Sequence, residues 1–250
     1  MSVLTFTDSH CHLDWFDNVS LVVKQAATVG VTRIVVVSTE RERWHDVQRV
    51  THAEGIYAAY GLHPLYQDRH RTEDLHALEM QIKDQPTVAI GECGLDFLAG
   101  DSLAQRETFI AQLDIGKRYY LPILIHARKS LDMVLHFIQR AGCPRFVIHS
   151  FTGSDAQLAR IFAMGGYIGI GGTSTYPRAQ RLQRQLSRIP ADRYLLETDA
   201  PDQPLYGRQG QANLPQYTQE VALNLARLRG EGLETISQQS ELNCNTFFHW

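Results

Sequence analysis

The histidines and carboxylates of this sequence supply the ligand types that a divalent metal site needs. Two of them stand in the triplet His10-Cys11-His12, and side chains two positions apart on an extended chain point to the same side. Both imidazoles can therefore bind one ion, although a chance surface triplet is the simpler interpretation of these residues taken alone. The other candidate ligands are Glu92, His126, His149 and Asp199.

Glu92 stands between glycines, in the segment Gly91-Glu92-Cys93-Gly94. One interpretation is a turn that carries a solvated acid. The other is a carboxylate that gives one oxygen to each of two ions, which lie about 3.5–4 Å apart in such sites. Because glycine lets another part of the backbone approach closely, the flanking residues favour the second interpretation.

His126 and His149 each end a short apolar segment, Ile123–Ile125 in one case and Phe146–Ile148 in the other. A lone histidine in that position is more often a core residue than a ligand. Two of them on consecutive strands lie about 5 Å apart across the sheet. We therefore predict that this pair holds a second ion.

Asp199 follows another apolar segment and lies two residues after Glu197. It is either a helix N-cap, which aspartate commonly provides, or a metal ligand and general base. Neutral histidines with carboxylates leave coordination positions open for water and substrate. We favour the second role, with Asp199 and Glu92 as the catalytic residues.

The predicted cofactor is a pair of divalent cations, held by four histidines, one glutamate and one aspartate. This mixture of nitrogen and oxygen ligands suits Zn, Mn or Co, and the carboxylates leave Mg possible. Two such ions activate water near neutral pH and stabilise the attacking and leaving oxygens of a displacement. The chemistry is that of a hydrolase.

A (β/α)8 barrel would bring these residues together, because the carboxyl ends of its strands converge at one face. Eight short apolar runs with helical stretches between them predict this fold, as one domain over residues 1–250. A doubly wound open sheet is the alternative. The runs are Leu4–Thr7, Arg33–Ser38, Ile56–Gly61, Thr87–Gly91, Pro122–Ile125, Arg145–Ile148, Gly166–Ile170 and Arg193–Leu196.

Helix signals stand between and after these runs. Ser102 with Gln105 and Ser154 with Gln157 have the spacing of capping boxes. A further helix is predicted from Leu233 onward.

The composition excludes several classes of protein. No segment approaches the roughly 18 apolar residues of a membrane span, and no signal-peptide pattern is present, so we expect a cytoplasmic protein. The net charge is −3, from 24 basic and 27 acidic residues, which does not suit a protein that coats nucleic acid. Four cysteines form no CxxC motif and no disulfide framework. They are Cys11, Cys93, Cys143 and Cys244.

At these residues the chain resembles the TatD family of metal-dependent hydrolases, in the amidohydrolase-like barrel superfamily, and is most similar to the YjjV-like branch. Asn243 and Phe247 are similar to the family's C-terminal signature. The motifs that carry the resemblance are Asp8–Asp14, Gly61–Pro64, Gly91–Asp96, Ile125–Arg128, Ile148–Gly153 and Glu197–Pro201.

The resemblance implies that one ion is held by His10, His12 and Asp199. It also implies that Glu92 bridges the two ions and that the second site is completed by His126 and His149. Three further motif residues are candidates for substrate binding: His63, Asp96 and Arg128. The alternatives are turn formation by His63 and a salt bridge from Arg128 to a neighbouring acid such as Asp96.

Family members include DNases and 3′-phosphodiesterases, so the resemblance implies DNA ends or a small phosphodiester as substrate. We predict a two-metal phosphodiester hydrolase, of the deoxyribonuclease or phosphodiesterase type. We expect it neither to associate with a membrane nor to need an obligate protein partner. The first alternative is a hydrolase of a small ester, lactone or cyclic amide, because the same activated water attacks carbonyl carbon. The second is a metal-bound binding module without catalysis.

Overall fold

Eight parallel strands form one sheet in the computed structural model, which describes residues 4–142 and 145–250 and so leaves Cys143 outside. The strands are hydrogen-bonded in chain order, each to the next. They are β1 Phe6–Cys11, β2 Val31–Val37, β3 Ile56–Tyr60, β4 Ala89–Asp96, β5 Ile123–Arg128, β6 Phe146–Ile148, β7 Tyr167–Ile170 and β8 Tyr194–Leu196.

Helices alternate with the strands, as parallel pairing requires. They are α1 Val19–Thr28, α2 Trp44–Val50, α3 Thr72–Asp84, α4 Leu103–Arg118, α5 Leu131–Ala141, α6 Asp155–Ala163, α7 Gln180–Leu186, α8 Thr218–Arg229 and α9 Leu233–Phe248. Short 3-10 helices occupy Leu13–Trp15, Arg41–Arg43, Pro64–Tyr66, Gly172–Thr175 and Pro215–Tyr217. The prediction of a helix from Leu233 onward is confirmed.

The sheet is nearly closed into a barrel by contacts between β1 and the segment after β8. The His12 amide donates to the Ala200 carbonyl at 2.8 Å, and the Asp199 amide donates to the His10 carbonyl at 2.9 Å. The sequential strand order and this closure confirm the predicted (β/α)8 barrel. They exclude the doubly wound sheet, whose strand order reverses at a switch point.

Apolar side chains fill the barrel in two layers, because successive residues of a strand point to opposite faces. On β2, Ile34 and Val36 belong to the large core between the strands and the helices, whereas Val35 and Val37 belong to a smaller second core. Phe247 of α9 is also part of this second core. The C-terminal helix therefore completes the packing inside one end of the barrel.

Strands β1, β4 and β5 extend further than the apolar runs Leu4–Thr7, Thr87–Gly91 and Pro122–Ile125 predicted. Most of the additional residues are polar or glycine, with Leu95 and Ala127 among the exceptions, and their backbone still pairs between strands, with Gly94 opposite His126. Hydrophobic residues indicate where a strand is buried in apolar surroundings. The backbone pairing between neighbouring strands continues beyond those residues. Several candidate ligands consequently stand on strands rather than on flexible loops.

One of the two predicted capping boxes is complete. At α6, the Ser154 and Gln157 side chains each accept from the other's backbone amide. At α4, Ser102 accepts from the Gln105 amide, but the Gln105 side chain instead accepts from the Asp96 amide at 3.1 Å. This glutamine therefore connects α4 to the end of β4. Within the described residues, every helix is too short or too polar to cross a membrane.

Candidate metal centre

Glu92 lies on β4 at the centre of a cluster of imidazoles and is 2% exposed. Its Oε2 atom lies 3.1 Å from His10 Nε2 and 3.6 Å from His12 Nε2. Its Oε1 atom lies 3.2 Å from His63 Nε2 and 3.0 Å from His126 Nδ1. Each carboxylate oxygen thus faces a different pair of histidines.

Asp199 lies opposite Glu92, in the segment that follows β8. Its Oδ1 atom is 3.5 Å from the Nε2 atoms of both His10 and His12. Its Oδ2 atom is 3.4 Å from His149 Nε2 and accepts a hydrogen bond from Gln203 Nε2 at 2.6 Å. Asp199 therefore joins His10 and His12, at the end of β1, to His149, which follows β6.

His149 is placed differently from the prediction that it pairs with His126. Its ring stacks on that of His10, with the centroids 3.7 Å apart and the planes at 19°. Its Nδ1 atom lies 2.9 Å from Glu197 Oε1, without the geometry of a hydrogen bond. The carboxylates after β8 thus attract this imidazole, which draws it toward β1.

Three groups of side chains bring their ligand atoms within 4.8 Å of one another. The groups are His10 with His12 and Glu92, His63 with Glu92 and His126, and His10 with His149 and Glu197. The first contains His10 and His12 of the predicted first site with the predicted bridge Glu92, but does not include Asp199. The second contains His63 with Glu92 and His126, so a predicted substrate contact stands among the candidate ligands.

The other two predicted substrate residues have different surroundings. Asp96 is buried; its Oδ2 atom lies 3.0 Å from His126 Nε2, and its Oδ1 atom accepts from the Leu98 amide at 2.9 Å. Asp96 is therefore placed to orient His126. Arg128 ends β5 with an exposed side chain at the rim of the site. The alternative of a salt bridge between these two residues is not formed, because Asp96 pairs with His126.

Asp8 links the two segments that carry the ligands. Its Oδ1 atom accepts from the Thr198 amide at 3.0 Å and the His10 amide at 3.3 Å, and its Oδ2 atom accepts from Thr198 Oγ1 at 2.6 Å. The Asn213 side chain donates to the Thr198 carbonyl at 2.7 Å. These bonds fix the backbone next to Asp199.

The ionisation of the cluster follows from burial and from the short distances within it. Burial opposes the charge of Glu92, but His63 and His10 beside it hold the pKa of Glu92 well below its usual range. Burial, together with His149, lowers the pKa of His10. Burial also opposes the charge of His12, but Asp199 outweighs it and raises the pKa of His12 to about 9.

The donor set fits divalent cations. Ligand atoms that share one ion at about 2.0–2.2 Å lie roughly 3–3.5 Å from one another, as the atoms around Glu92 do. Within the described part of the chain, no lysine or arginine forms an ion pair with Glu92 or Asp199, and His10 Nδ1 and Glu197 Oε2 are buried without a hydrogen-bond partner. Such buried carboxylates and imidazoles are normally paired or bound to metals.

Gln203 is the residue beside the ligands that the sequence analysis missed. Its side chain donates to Asp199 and accepts from Ser150 Oγ, so it connects the segments after β6 and β8. A glutamine in a polar loop has no distinctive spacing. Only its position, four residues after Asp199, could have suggested a role beside the ligand.

Comparisons with known proteins match nearly the whole chain. The sequence model described as TatD related DNase matches residues 7–249. The metal-dependent hydrolase YjjV of Escherichia coli strain K12 is 37% identical over 256 residues, with 99% of each chain covered. A protein of Pantoea sp. strain At-9b named 3′-5′ ssDNA/RNA exonuclease TatD is 33% identical over 243 residues, covering 91% of this chain and 92% of that one.

Solved structures agree with the fold. The crystal structure of YjjV from E. coli K12, a TatD homologue, superposes with a TM-score of 0.94 at 36% identity and covers 100% of both chains. A TatD family hydrolase from Entamoeba histolytica gives a TM-score of 0.84 over 99% of both chains. At 19% identity the second likeness concerns the fold alone.

Proposed function

Because this chain belongs to the TatD family, we propose that it is a metal-dependent hydrolase that cleaves phosphodiesters at the Glu92 centre with two divalent cations. The observation that carries the proposal is the position of Glu92. Its two oxygens face separate pairs of histidines, at 3.0–3.6 Å. A carboxylate with this arrangement is suited to bridging two ions.

The ligands divide between two positions. His10, His12 and Asp199 would hold one cation and His126 the other, with Glu92 shared between them. His149 and His63 are the candidates to complete the second position. Bound divalent cations polarise the phosphate and lower the pKa of water to near neutrality.

Asp199 is the proposed general base. Burial opposes its charge, but the neighbouring histidines, His149 foremost, hold the pKa of Asp199 far below its usual range, so Asp199 is an ionised carboxylate at neutral pH. Gln203 Nε2 donates to Asp199 Oδ2 and fixes the plane of the carboxylate. Proton transfer by a positioned side chain contributes roughly 10²–10⁴-fold to rate.

Arg128 is the proposed substrate contact at the rim. Its exposed guanidinium lies at the end of β5, two residues beyond His126. A guanidinium binds two phosphate oxygens at once, which orients the substrate as well as attracting it. The relative from Pantoea is named for single-stranded DNA and RNA, which supports DNA ends, or a small phosphodiester, as the substrate class.

The test compares two substrates on one preparation. Bis-p-nitrophenyl phosphate and p-nitrophenyl acetate are offered to the wild type with Mn, Zn or Mg, and to Asp199→Asn. We expect phosphodiester cleavage by the wild type and a fall in kcat of about 10²-fold or more in the variant. Asp192→Asn, at a side chain that is 64% exposed, is the control and keeps full activity.

Two results would contradict the proposal. Protein that binds the cations and cleaves no phosphodiester is not a phosphodiesterase. Cleavage of the acetate without the phosphodiester would identify the carbonyl hydrolase that the sequence analysis kept as its alternative.

A further inference from the structure

Four cationic side chains lie around one side of the barrel mouth, and none of them forms an ion pair with a described carboxylate: Arg128, Lys129, Arg178 and Arg181. Arginines elsewhere are commonly paired, as Arg43 is with Asp14 and Arg69 with Glu40. The chain as a whole has a net charge of −3, so this group of unpaired cations is a local excess of positive charge. They place positive charges beside the proposed catalytic centre.

Two cavities meet at this side of the mouth. The mouth cavity, of about 690 Å³, is bounded by His126, His149 and Arg128. The side cavity, of about 550 Å³, lies between the segments after β7 and β8 and is bounded by Tyr176 and Arg178. The two share Thr152, Thr173, Arg181 and Gln203 as lining residues. A substrate in the mouth can therefore extend into the side cavity.

The lining of the side cavity suits an anion. It contains two arginines and no carboxylate. Arg181 is held in place because its NH2 group donates to the Thr152 carbonyl at 2.8 Å. Arg178 lies over the ring of Tyr176, with its guanidinium carbon 5.2 Å from the ring centroid. Unpaired guanidinium groups are the preferred ligands of phosphate, and an aromatic ring beside them offers a surface for a base.

Gln203 connects this cavity to the chemistry. The same side chain that donates to Asp199 also lines both cavities. A ligand in the side cavity is therefore adjacent to the residue that orients the proposed general base. Because of this adjacency, the side cavity differs from a surface pocket that has no contact with the catalytic residues.

We propose that the side cavity is a second phosphate subsite, which binds a phosphodiester group next to the one that is cleaved. Arg178 and Arg181 contact that phosphate, and Tyr176 packs against the adjoining nucleoside. The inference rests on the proposed function and adds to it. A chain of linked nucleotides is a better substrate than an isolated diester.

The experiment uses the double variant Arg178→Gln/Arg181→Gln with two substrates. One is bis-p-nitrophenyl phosphate, which has a single phosphate, and the other is a 3′-labelled hexathymidylate. We expect the ratio of kcat/KM for the hexamer to that for the small diester to fall at least tenfold, through KM. The dependence of log kcat/KM on log salt should become shallower by about 0.7 for each phosphate that the variant no longer neutralises.

The matched control is Arg140→Gln, which removes an exposed arginine in the last turn of α5 and should leave the ratio at the wild-type value. A ratio in the double variant equal to the wild-type ratio would overturn the subsite. So would an equal loss on both substrates, because the arginines would then act on the cleaved phosphate itself.

A binding measurement separates this inference from the proposed function. If the wild type cleaves no phosphodiester, the proposed function fails, and fluorescence anisotropy with labelled hexathymidylate then decides the subsite. We expect the wild type and Arg140→Gln to bind the hexamer at least tenfold more tightly than Arg178→Gln/Arg181→Gln. Equal affinity in all three proteins, or no binding to the wild type, would overturn it.

Discussion

Replacement of Asp8 by alanine tests whether one buried carboxylate positions the ligands from both sides of the barrel closure. Asp8 is 0% exposed and accepts three hydrogen bonds, two from Thr198 and one from the His10 amide. In Asp8→Ala all three donors lose their acceptor inside a closed site. Each unmade buried bond costs roughly 1–1.5 kcal/mol, which gives a loss of about 3–4.5 kcal/mol in the free energy of unfolding.

The expected loss can be measured as a melting temperature. For a chain of this size, 1 kcal/mol shifts Tm by about 2–4 °C, so Asp8→Ala should melt roughly 6–18 °C below the wild type. The Asp8→Asn variant keeps the shape and the Oδ1 acceptor and should lose less than half as much. Zinc affinity, measured by competition with a chelating dye, should also fall in Asp8→Ala, because His10 and the Asp199 segment are no longer held together.

The reasoning would be refuted by an Asp8→Ala protein that melts within about 2 °C of the wild type and binds zinc as tightly. A large loss of stability with unchanged zinc affinity would refute the positioning role alone. Thr198→Val is the companion variant, because it removes the hydroxyl that donates to Asp8 and leaves the amide bond intact. Its effect should be about two-thirds of that of Asp8→Ala, because the same hydroxyl also accepts from the Ala200 amide at 3.1 Å.

Three further expectations concern the backbone, the C-terminal helix and the cations. Gly94→Ala should lower kcat at least tenfold and destabilise the protein in thermal melts, because the added Cβ would lie 2.0 Å from the His126 carbonyl at a φ of +147°; wild-type rates would contradict this. Asn243→Ala should cost about 2–3 kcal/mol in urea denaturation, because its amide donates to the Ala191 and Tyr194 carbonyls at 2.8 and 2.9 Å; a loss under about 0.5 kcal/mol would show that the bonds do not anchor α9. Chelation of bound cations should lower Tm by about 5–11 °C, since a ligand at a hundred times its Kd adds about 2.7 kcal/mol to stability; an unchanged Tm would argue against binding to the folded state.

The strands of the fold could be predicted because parallel strands buried on both faces need continuous apolar residues. The runs Ile56–Gly61 and Gly166–Ile170 therefore match β3 and β7 to within a residue. The ends of β1, β4 and β5 could not, since most residues there are polar or glycine, the candidate ligands among them, and their backbone still pairs across the sheet. A hydrophobic pattern predicts which strand residues are buried in apolar surroundings. It does not predict the strand residues that lie in a candidate metal centre.

The candidate ligands could be found for a related reason. A histidine or carboxylate directly after an apolar run stands at the carboxyl end of a strand, where the barrel collects its functional residues. The residues that contact those ligands do not share this position directly after an apolar run. Arg128 and Arg181 are far apart in the sequence and share a cavity only after the barrel closes. Arg181 and Arg184, taken as a sequence segment alone, are too short to predict a site for nucleic acid.

The place of His149 shows a second limit. Consecutive strands predict that His126 and His149 lie side by side, and the backbone meets this expectation, with the His149 amide donating to the Ile125 carbonyl at 3.0 Å. The side chain nevertheless turns toward Glu197 and Asp199. Register fixes where a residue stands, while the charges that surround it decide where its ring points.

Counting the bound cations tests the bridging role of Glu92 most directly. Protein is stripped with a chelator, titrated with zinc and analysed for metal per chain, for the wild type, Glu92→Ala and the exposed control Asp192→Asn. We expect two ions per chain in the wild type and the control, and fewer than one in Glu92→Ala, because its oxygens face both sets of histidines. Two tightly held ions in Glu92→Ala would contradict a shared glutamate bridge.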